Sequence, residues 1–200
     1  MLEKNQKLND PKIRKYLKKK VLHNHLANPD ILVLDECGLR HGSAIIDILV
    51  ISDNLEGFEI KSDVDSLHRL KNQSKIFSDT LDKMTLVVGQ KLIEGAMKII
   101  PDWWGVKLVT RETDGNIKFD TIKSSTLNFN VDILSAVKLL WKDEALDILK
   151  DVDPNHGVRW KPKKEIYLRL AEVLDEKDFK YRICTKIKSR QNWKFDSQHV

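Results

Sequence analysis

Two hundred residues, 41% of them hydrophobic, are enough for one packed domain or one domain with a small appendage. A mean hydropathy of −0.41, with no long apolar run, excludes a membrane-spanning helix. Cys37 and Cys184 lie far apart with no CxxC spacing, which excludes a zinc or dithiol motif and fits reduced thiols in a cytoplasmic protein. The net charge of +5 is uneven: residues 1–25 carry +6, residues 26–155 carry −7 and residues 156–200 carry +6. An acidic middle between basic ends suits a phosphate-backbone partner, although lysine-rich helices with solvated faces give the same pattern. The start, Met1 to Lys7, has no apolar signal-peptide region.

In chain order, Asn9-Asp10-Pro11 predicts a helix start, with Asp10 as N-cap and Pro11 in the first turn. The helix runs from Pro11 to about Asn24, with Ile13, Tyr16, Leu17 and Val21 on one face. Lys15, Lys18, Lys19 and Lys20 lie largely elsewhere, and Lys18 and Lys19 are candidates for a nucleic-acid backbone. His23 and His25 read as surface residues. Asn28-Pro29-Asp30 is a turn and Ile31 to Leu34 a first strand, with Asp35, Glu36 and Cys37 at its end. Gly38, Gly42 and Ser43 predict a loop, from which Arg40 and His41 could touch phosphate or serve as ordinary loop residues. Ala44 to Ile51 is apolar and β-branched apart from Asp47, as a buried strand is. A polar turn leads to a short strand, Phe58 to Lys61. Glu59 and Lys61 share one face there and Ile60 points to the other. A hairpin sets Asp47 beside them.

An ionised carboxylate in an apolar strand is costly unless it is paired, hydrogen-bonded or on a metal. Two neighbouring carboxylates repel, and a hard divalent cation resolves the repulsion. A lysine in the same cluster can contact a water nucleophile and a scissile phosphate. An Asp–Lys or Glu–Lys ion pair inside a sheet accounts equally well for the spacing.

Asp47, eleven intervening residues and Glu59-Ile60-Lys61 after a hairpin resemble the PD-(D/E)XK nuclease superfamily. The string continues through Asp65-Ser66-Leu67-His68-Arg69-Leu70 to Gln73-Ser74-Lys75-Ile76-Phe77. This is similar to the Gln-x-x-x-Tyr motif of the superfamily's helicase-linked branch, with phenylalanine in place of tyrosine. With Trp103-Trp104-Gly105, the stretch from Val33 to Gly105 looks like a family of uncharacterised bacterial PD-(D/E)XK-like proteins. The resemblance implies a restriction-endonuclease-like α/β core, a central mixed sheet flanked by helices. It also implies Mg²⁺- or Mn²⁺-dependent hydrolysis of nucleic acid, DNA rather than RNA. Asp47 and Glu59 would bind the ion, Lys61 would orient the water, and Gln73 would position a metal water or the lysine. Glu36 is the candidate third carboxylate, with Asp35 behind it, although the superfamily's upstream glutamate commonly lies on the first helix. A catalytically weak nucleic-acid-binding or adaptor module of the same fold is the alternative, as is a protein-interaction domain with a structural ion pair.

Beyond Lys61, Ser62-Asp63-Val64-Asp65 resembles a capping box, predicting a helix that begins beside the lysine. Val64, Leu67, Leu70, Ser74, Phe77 and Leu81 would be its buried face. Arg69 and Gln73 would overlook the site, with Arg69 free for phosphate or paired to Asp65. Thr85 to Gly89 is a strand reached by a parallel crossover. Lys91 to Ile100 is a short helix, and Trp103 and Trp104 read as packing residues. Asp114-Gly115 joins Val106–Arg111 to Ile117–Ile122 as a hairpin. Residues 1–125 form the expected core and residues 126–200 a helical C-terminal extension packed on it. The extension has one long or two short helices from Val131, a helix from Lys163 to about Leu174 and another from Asp178 to Ser189. Its lysines and arginines, with Trp160 and Trp193, could hold nucleic acid or simply cap the sheet.

Overall fold

The computed structural model describes residues 8–155, 157–175 and 177–190. Trp193, a candidate stacking residue, lies outside them.

Six strands form one mixed sheet in sequential order: β1 (Leu32–Leu39), β2 (Ala44–Ile51), β3 (Leu55–Lys61), β4 (Lys83–Gly89), β5 (Gly105–Arg111) and β6 (Ile117–Lys123). Neighbours β1/β2, β2/β3 and β5/β6 are antiparallel, while β3/β4 and β4/β5 are parallel. The parallel pairs are those separated by a helix, because a parallel return needs a crossover. Helix α3 (Leu70–Thr80) joins β3 to β4, and α4 (Ile93–Met97) joins β4 to β5. β4 is buried on both faces, which explains its unbroken apolar run.

One sheet face is covered by α1 (Asp10–Lys20), which inserts Ile13 and Leu17 among Ile48, Val50, Phe58, Ile60, Val87, Val109 and Ile117. The short α2 (His23–Ala27) follows. On the other face, α3 packs Leu70 and Phe77 against Ile46, Leu49, Leu55 and Leu86. The same core continues into α5 (Ile133–Val137), α6 (Lys142–Val152), α7 (Lys163–Val173) and α8 (Phe179–Lys188). The protein is therefore α/β, a mixed six-stranded sheet flanked by helices and carrying further helices at its C-terminal end.

Polar ties fix that end. Asn128 Nδ2 donates to the Ser78 and Leu81 carbonyls at 2.7 and 3.0 Å, closing the last turn of α3 from outside. Buried Asp82 accepts from the Leu55 amide at 2.8 Å and pairs with Lys180 of α8. Arg190 forks onto both oxygens of Glu144, at 2.6 and 2.7 Å, above the Trp141 ring. Trp104 is fully buried against Phe77, and so serves packing as expected.

Several local readings need correction. The N-cap of α1 is Asn9, whose side chain accepts from Lys12 N. The helix stops at Lys20, and His23–Ala27 is a separate turn of helix. The first strand extends to Leu39, so Asp35, Glu36 and Cys37 lie inside β1 rather than at its end, and Gly38 belongs to the strand rather than to a loop. The capping geometry at Ser62 is real, since Asp65 Oδ2 accepts from its amide and its hydroxyl at 2.7 and 2.6 Å. It closes a turn rather than a helix: α3 begins eight residues later, and Val64 is 52% exposed. A helix N-terminus beside Lys61 is thereby lost. From Val131 the expectation of one long or two short helices resolves as two, Ile133–Val137 and Lys142–Val152.

Candidate functional site

The site lies where the pairing of β2 with β3 ends, beside α3. β3 alternates strictly: Phe58 and Ile60 enter the core under α1, while Glu59 and Lys61 turn towards α3. β1 and β2 do not alternate through their whole length. Leu32 and Leu34 face the α3 layer, and so do Cys37 and Leu39, three residues on from Leu34 instead of two. On β2, Ala44 and Ile46 face that layer, and then Leu49 and Ile51. Both strands therefore switch parity at the same rung. Asp35 pairs with Ile48 and Cys37 with Ile46, which places Glu36 and Asp47 opposite each other at the switch. Glu36 makes the switch by adopting a left-handed φ of +53°, costly for any residue with a Cβ.

The switch frees Asp47 from the normal ladder. Its Oδ2 accepts from the Ile60 amide at 2.7 Å, replacing the bond that a regular partner strand would supply. Its Oδ1 takes Arg14 Nη2 at 3.0 Å. Arg14 also reaches Glu36 Oε1 at 2.8 Å through Nη1 and Asp10 Oδ1 at 2.9 Å through Nη2, so one guanidinium bridges three carboxylates. Next to this group, Lys61 Nζ lies 2.5 Å from Glu59 Oε1, and Gln73 Nε2 donates to the same oxygen at 2.9 Å. Glu59 is 1% exposed and Lys61 6%, so this is a buried ion pair at the inner wall of an otherwise open cleft.

The electrostatics follow from burial and crowding. Burial first, and then the negative charge of Glu59, push the Asp47 carboxyl up to about 7, against the pull of the Ile60 amide and Arg14. Burial likewise raises the Glu59 acid, while Lys61 and Gln73 hold it down. Glu59 Oε2 and Gln73 Oε1 are both buried and accept no hydrogen bond from the protein. A buried acceptor without a donor is expensive.

The cleft has a volume of about 580 Å³ and brings Glu36, Asp47, Glu59, Lys61, Arg69 and Gln73 to one surface. Arg69 stands at its rim and makes no ion pair among the described residues, since Asp65 is engaged with Ser62 instead. Asn72 and Ile76 continue the α3 wall, and Ile45 is an exposed apolar residue on the opposite wall. Other candidates lie elsewhere. Arg40 pairs with Asp79 at 3.2 Å, and Lys18 with Asp35 at 2.5 Å. Lys19 is exposed on α1, outside the cleft lining. Sequence reasoning missed Arg14 and gave Asp10 only a capping role. The available signal was their i, i+4 spacing beside buried Ile13 and Leu17, which aims the arginine at the margin of the sheet.

Residues 3–198 match the family model for bacteriophage P4 protein cII. The chain belongs to that family. Protein cII of Enterobacteria phage P4 is 27% identical over 165 residues, a match that takes in 80% of this chain. The chain spans 60% of the length of that relative. This membership corrects the likeness to the PD-(D/E)XK superfamily read from Asp47, Glu59-Ile60-Lys61 and Gln73. A cII-family match over almost the whole chain outweighs a spacing pattern confined to its middle third. Among solved structures, a protein of unknown function from Silicibacter pomeroyi shows 12% identity and a TM-score of 0.38, covering 66% of this chain and 87% of its own. SfsA from Pyrococcus furiosus, solved in complex with Ca²⁺, shows 10% identity and a TM-score of 0.37, covering 62% and 68%. Likenesses this slight decide nothing about the cII-family chain. Among its described residues no helix is long and apolar enough to cross a membrane.

Proposed function

We propose that the cleft is the centre of a metal-dependent nuclease, a phosphodiesterase acting on nucleic acid and on DNA rather than RNA. The proposal rests on the geometry of the site. The observation that carries it is Glu59 Oε2, a carboxylate oxygen in a 1%-exposed residue, without a donor, at the wall of an open cleft. Asp47 stands beside it as a second acid whose charge is disfavoured by the first. Two crowded hard-oxygen donors of this kind fit Mg²⁺ or Mn²⁺, with Glu36 on the rim as a third carboxylate. Such an ion, when bound, lowers the pKa of a water and offsets charge on a phosphate.

The chain's own groups would do the rest. Lys61, held by Glu59, can donate a hydrogen bond from its ammonium that orients the attacking water, or one to a phosphate oxygen as charge develops there. Gln73 fixes the Glu59 rotamer through its amide and so acts as a positioning residue. Arg69 meets an incoming phosphate at the rim. The test is incubation with single- and double-stranded DNA and RNA in Mg²⁺, Mn²⁺ or EDTA, using wild type, Asp47→Asn and Lys61→Ala. Cleavage that needs the metal and vanishes in both variants is expected. Metal-dependent cleavage that survives in either purified, folded variant overturns the assignment.

One observation favours a second reading. Arg14 already neutralises Asp47, and among the described residues no group of three or more His, Cys, Asp and Glu side chains is set to hold a metal. A catalytically weak nucleic-acid-binding or adaptor module would show this. It predicts DNA affinity that weakens steeply with salt and no cleavage in any metal.

A further inference from the structure

Among the described residues, Arg14 is the one cation paired with the Asp47 carboxylate, and it reaches it from a separate element. α1 is anchored by fully buried Ile13 and Leu17, so the guanidinium one residue on from Ile13 is delivered to a fixed place. There it bridges Asp10, Glu36 and Asp47 at 2.8 to 3.0 Å. Its Nε, however, is buried without an acceptor. The fork is thus spent on three carboxylates in an arrangement that leaves one of its own donors unused. Around it the charges do not close. Among the described residues of the cleft, Asp10, Glu36, Asp47, Glu59 and Asp65 face Lys61, Arg69 and Arg14, an excess of two negative charges when all are ionised. That deficit equals the charge of one divalent cation.

We propose that Arg14 is a resident counter-cation at the Asp47 carboxylate, which a divalent ion must displace from Oδ1 in order to bind. This inference rests on the metal reading of the same site. Arg14 and the ion are then competitors for one oxygen, and the arginine sets the metal affinity of the cleft without contacting the reacting atoms. Displacement does not strand the guanidinium, because Asp10 Oδ1, one helical turn earlier at 2.9 Å, remains its partner.

The test is Mn²⁺ titration of wild type, Arg14→Gln and Arg14→Lys by calorimetry at pH 8, with circular dichroism to confirm folding. Arg14→Gln removes the competing charge, and the Mn²⁺ affinity is expected to rise at least about tenfold, the equivalent of about 1.4 kcal/mol. Arg14→Lys keeps the charge but cannot fork across three carboxylates, so its affinity falls between the other two. It also serves as the test variant if Arg14→Gln does not fold. In wild type, Mg²⁺ should shift the Arg14 Nε–Hε resonance. Equal or weaker Mn²⁺ binding by folded variants, with wild type still binding, overturns the role of Arg14 and leaves the metal reading standing. No Mn²⁺ binding by any of the three overturns both.

Discussion

Replacing Lys61 by methionine removes one partner of a buried ion pair. Glu59 is 1% exposed, and its charge is balanced at 2.5 Å by Lys61, with the Gln73 amide as additional support. Breaking a buried pair by removing one partner costs about 3–5 kcal/mol. The stranded acid has one escape, which is to take up a proton. Starting from an ordinary glutamate near 4.3, protonation costs about 1.36 kcal/mol per pH unit, hence about 5 kcal/mol at pH 8 and about 1 kcal/mol at pH 5. Lys61→Met should therefore lose about 3–5 kcal/mol at pH 8 and only about 1 kcal/mol at pH 5. The sign is that of an acid binding its proton more tightly folded than unfolded, so stability falls as pH rises. Urea unfolding reads this directly. With a slope of about 2 kcal/mol/M, the midpoint should drop by about 2 M at pH 8 and by about 0.5 M at pH 5. Adding Glu59→Gln to Lys61→Met removes the buried charge and should recover most of the loss at pH 8. A loss equal at the two pH values, or a double variant no better than Lys61→Met, would refute an electrostatic origin and leave packing as the cause.

Other outcomes follow from the same geometry. In metal-free protein the Asp47 carboxyl, raised to about 7, lies above its unfolded range near 3.9. Its stabilising contribution is complete below about pH 4 and is lost as pH climbs through about 7. Asp47→Asn should flatten that part of the profile of melting temperature against pH, and an unchanged slope would contradict it. Gly105→Ala would bring a Cβ to 2.7 Å from the Ser125 backbone nitrogen, which cannot yield as a flexible side chain would, so a loss of about 1–3 kcal/mol is expected. Gly38→Ala meets nothing closer than 3.6 Å and should stay within about 0.5 kcal/mol in the same melts. Asp82→Asn removes the charge that holds Lys180 and weakens the acceptor of Leu55 N. A loss of about 1–3 kcal/mol should appear, together with faster amide exchange across Phe179–Lys188.

Much of the sheet was legible because its cues are local. The apolar run with a lone acid marked β2, the Glu59-x-Lys61 alternation marked β3, and Asp114-Gly115 marked the β5–β6 hairpin. The parallel entry of β4 followed from the helix before it. The convergence of Asp47, Glu59, Lys61 and Gln73 was legible for the same reason, since strand alternation and one helix turn place them. The helix start at Ser62 was misread because Asp65 supplies a cap that closes a turn just as well. The length of β1 was misread because Glu36 adopts a backbone that its residue type disfavours, and no local pattern announces it. The i, i+4 spacing hinted at the Arg14–Asp10 pair, but not at its partners 22 and 33 positions away, which a packing angle of the assembled core brings to it.

The left-handed rung at Glu36 limits what descent can do with this hairpin. Glycine, asparagine and aspartate tolerate such a backbone, whereas valine, isoleucine and threonine do not. In an alignment of homologues that column should admit the first set and shun the second. Since an acid there also shares the guanidinium of Arg14, loss of arginine in one column should accompany loss of the acid in the other, a paired substitution visible without any experiment on the protein itself.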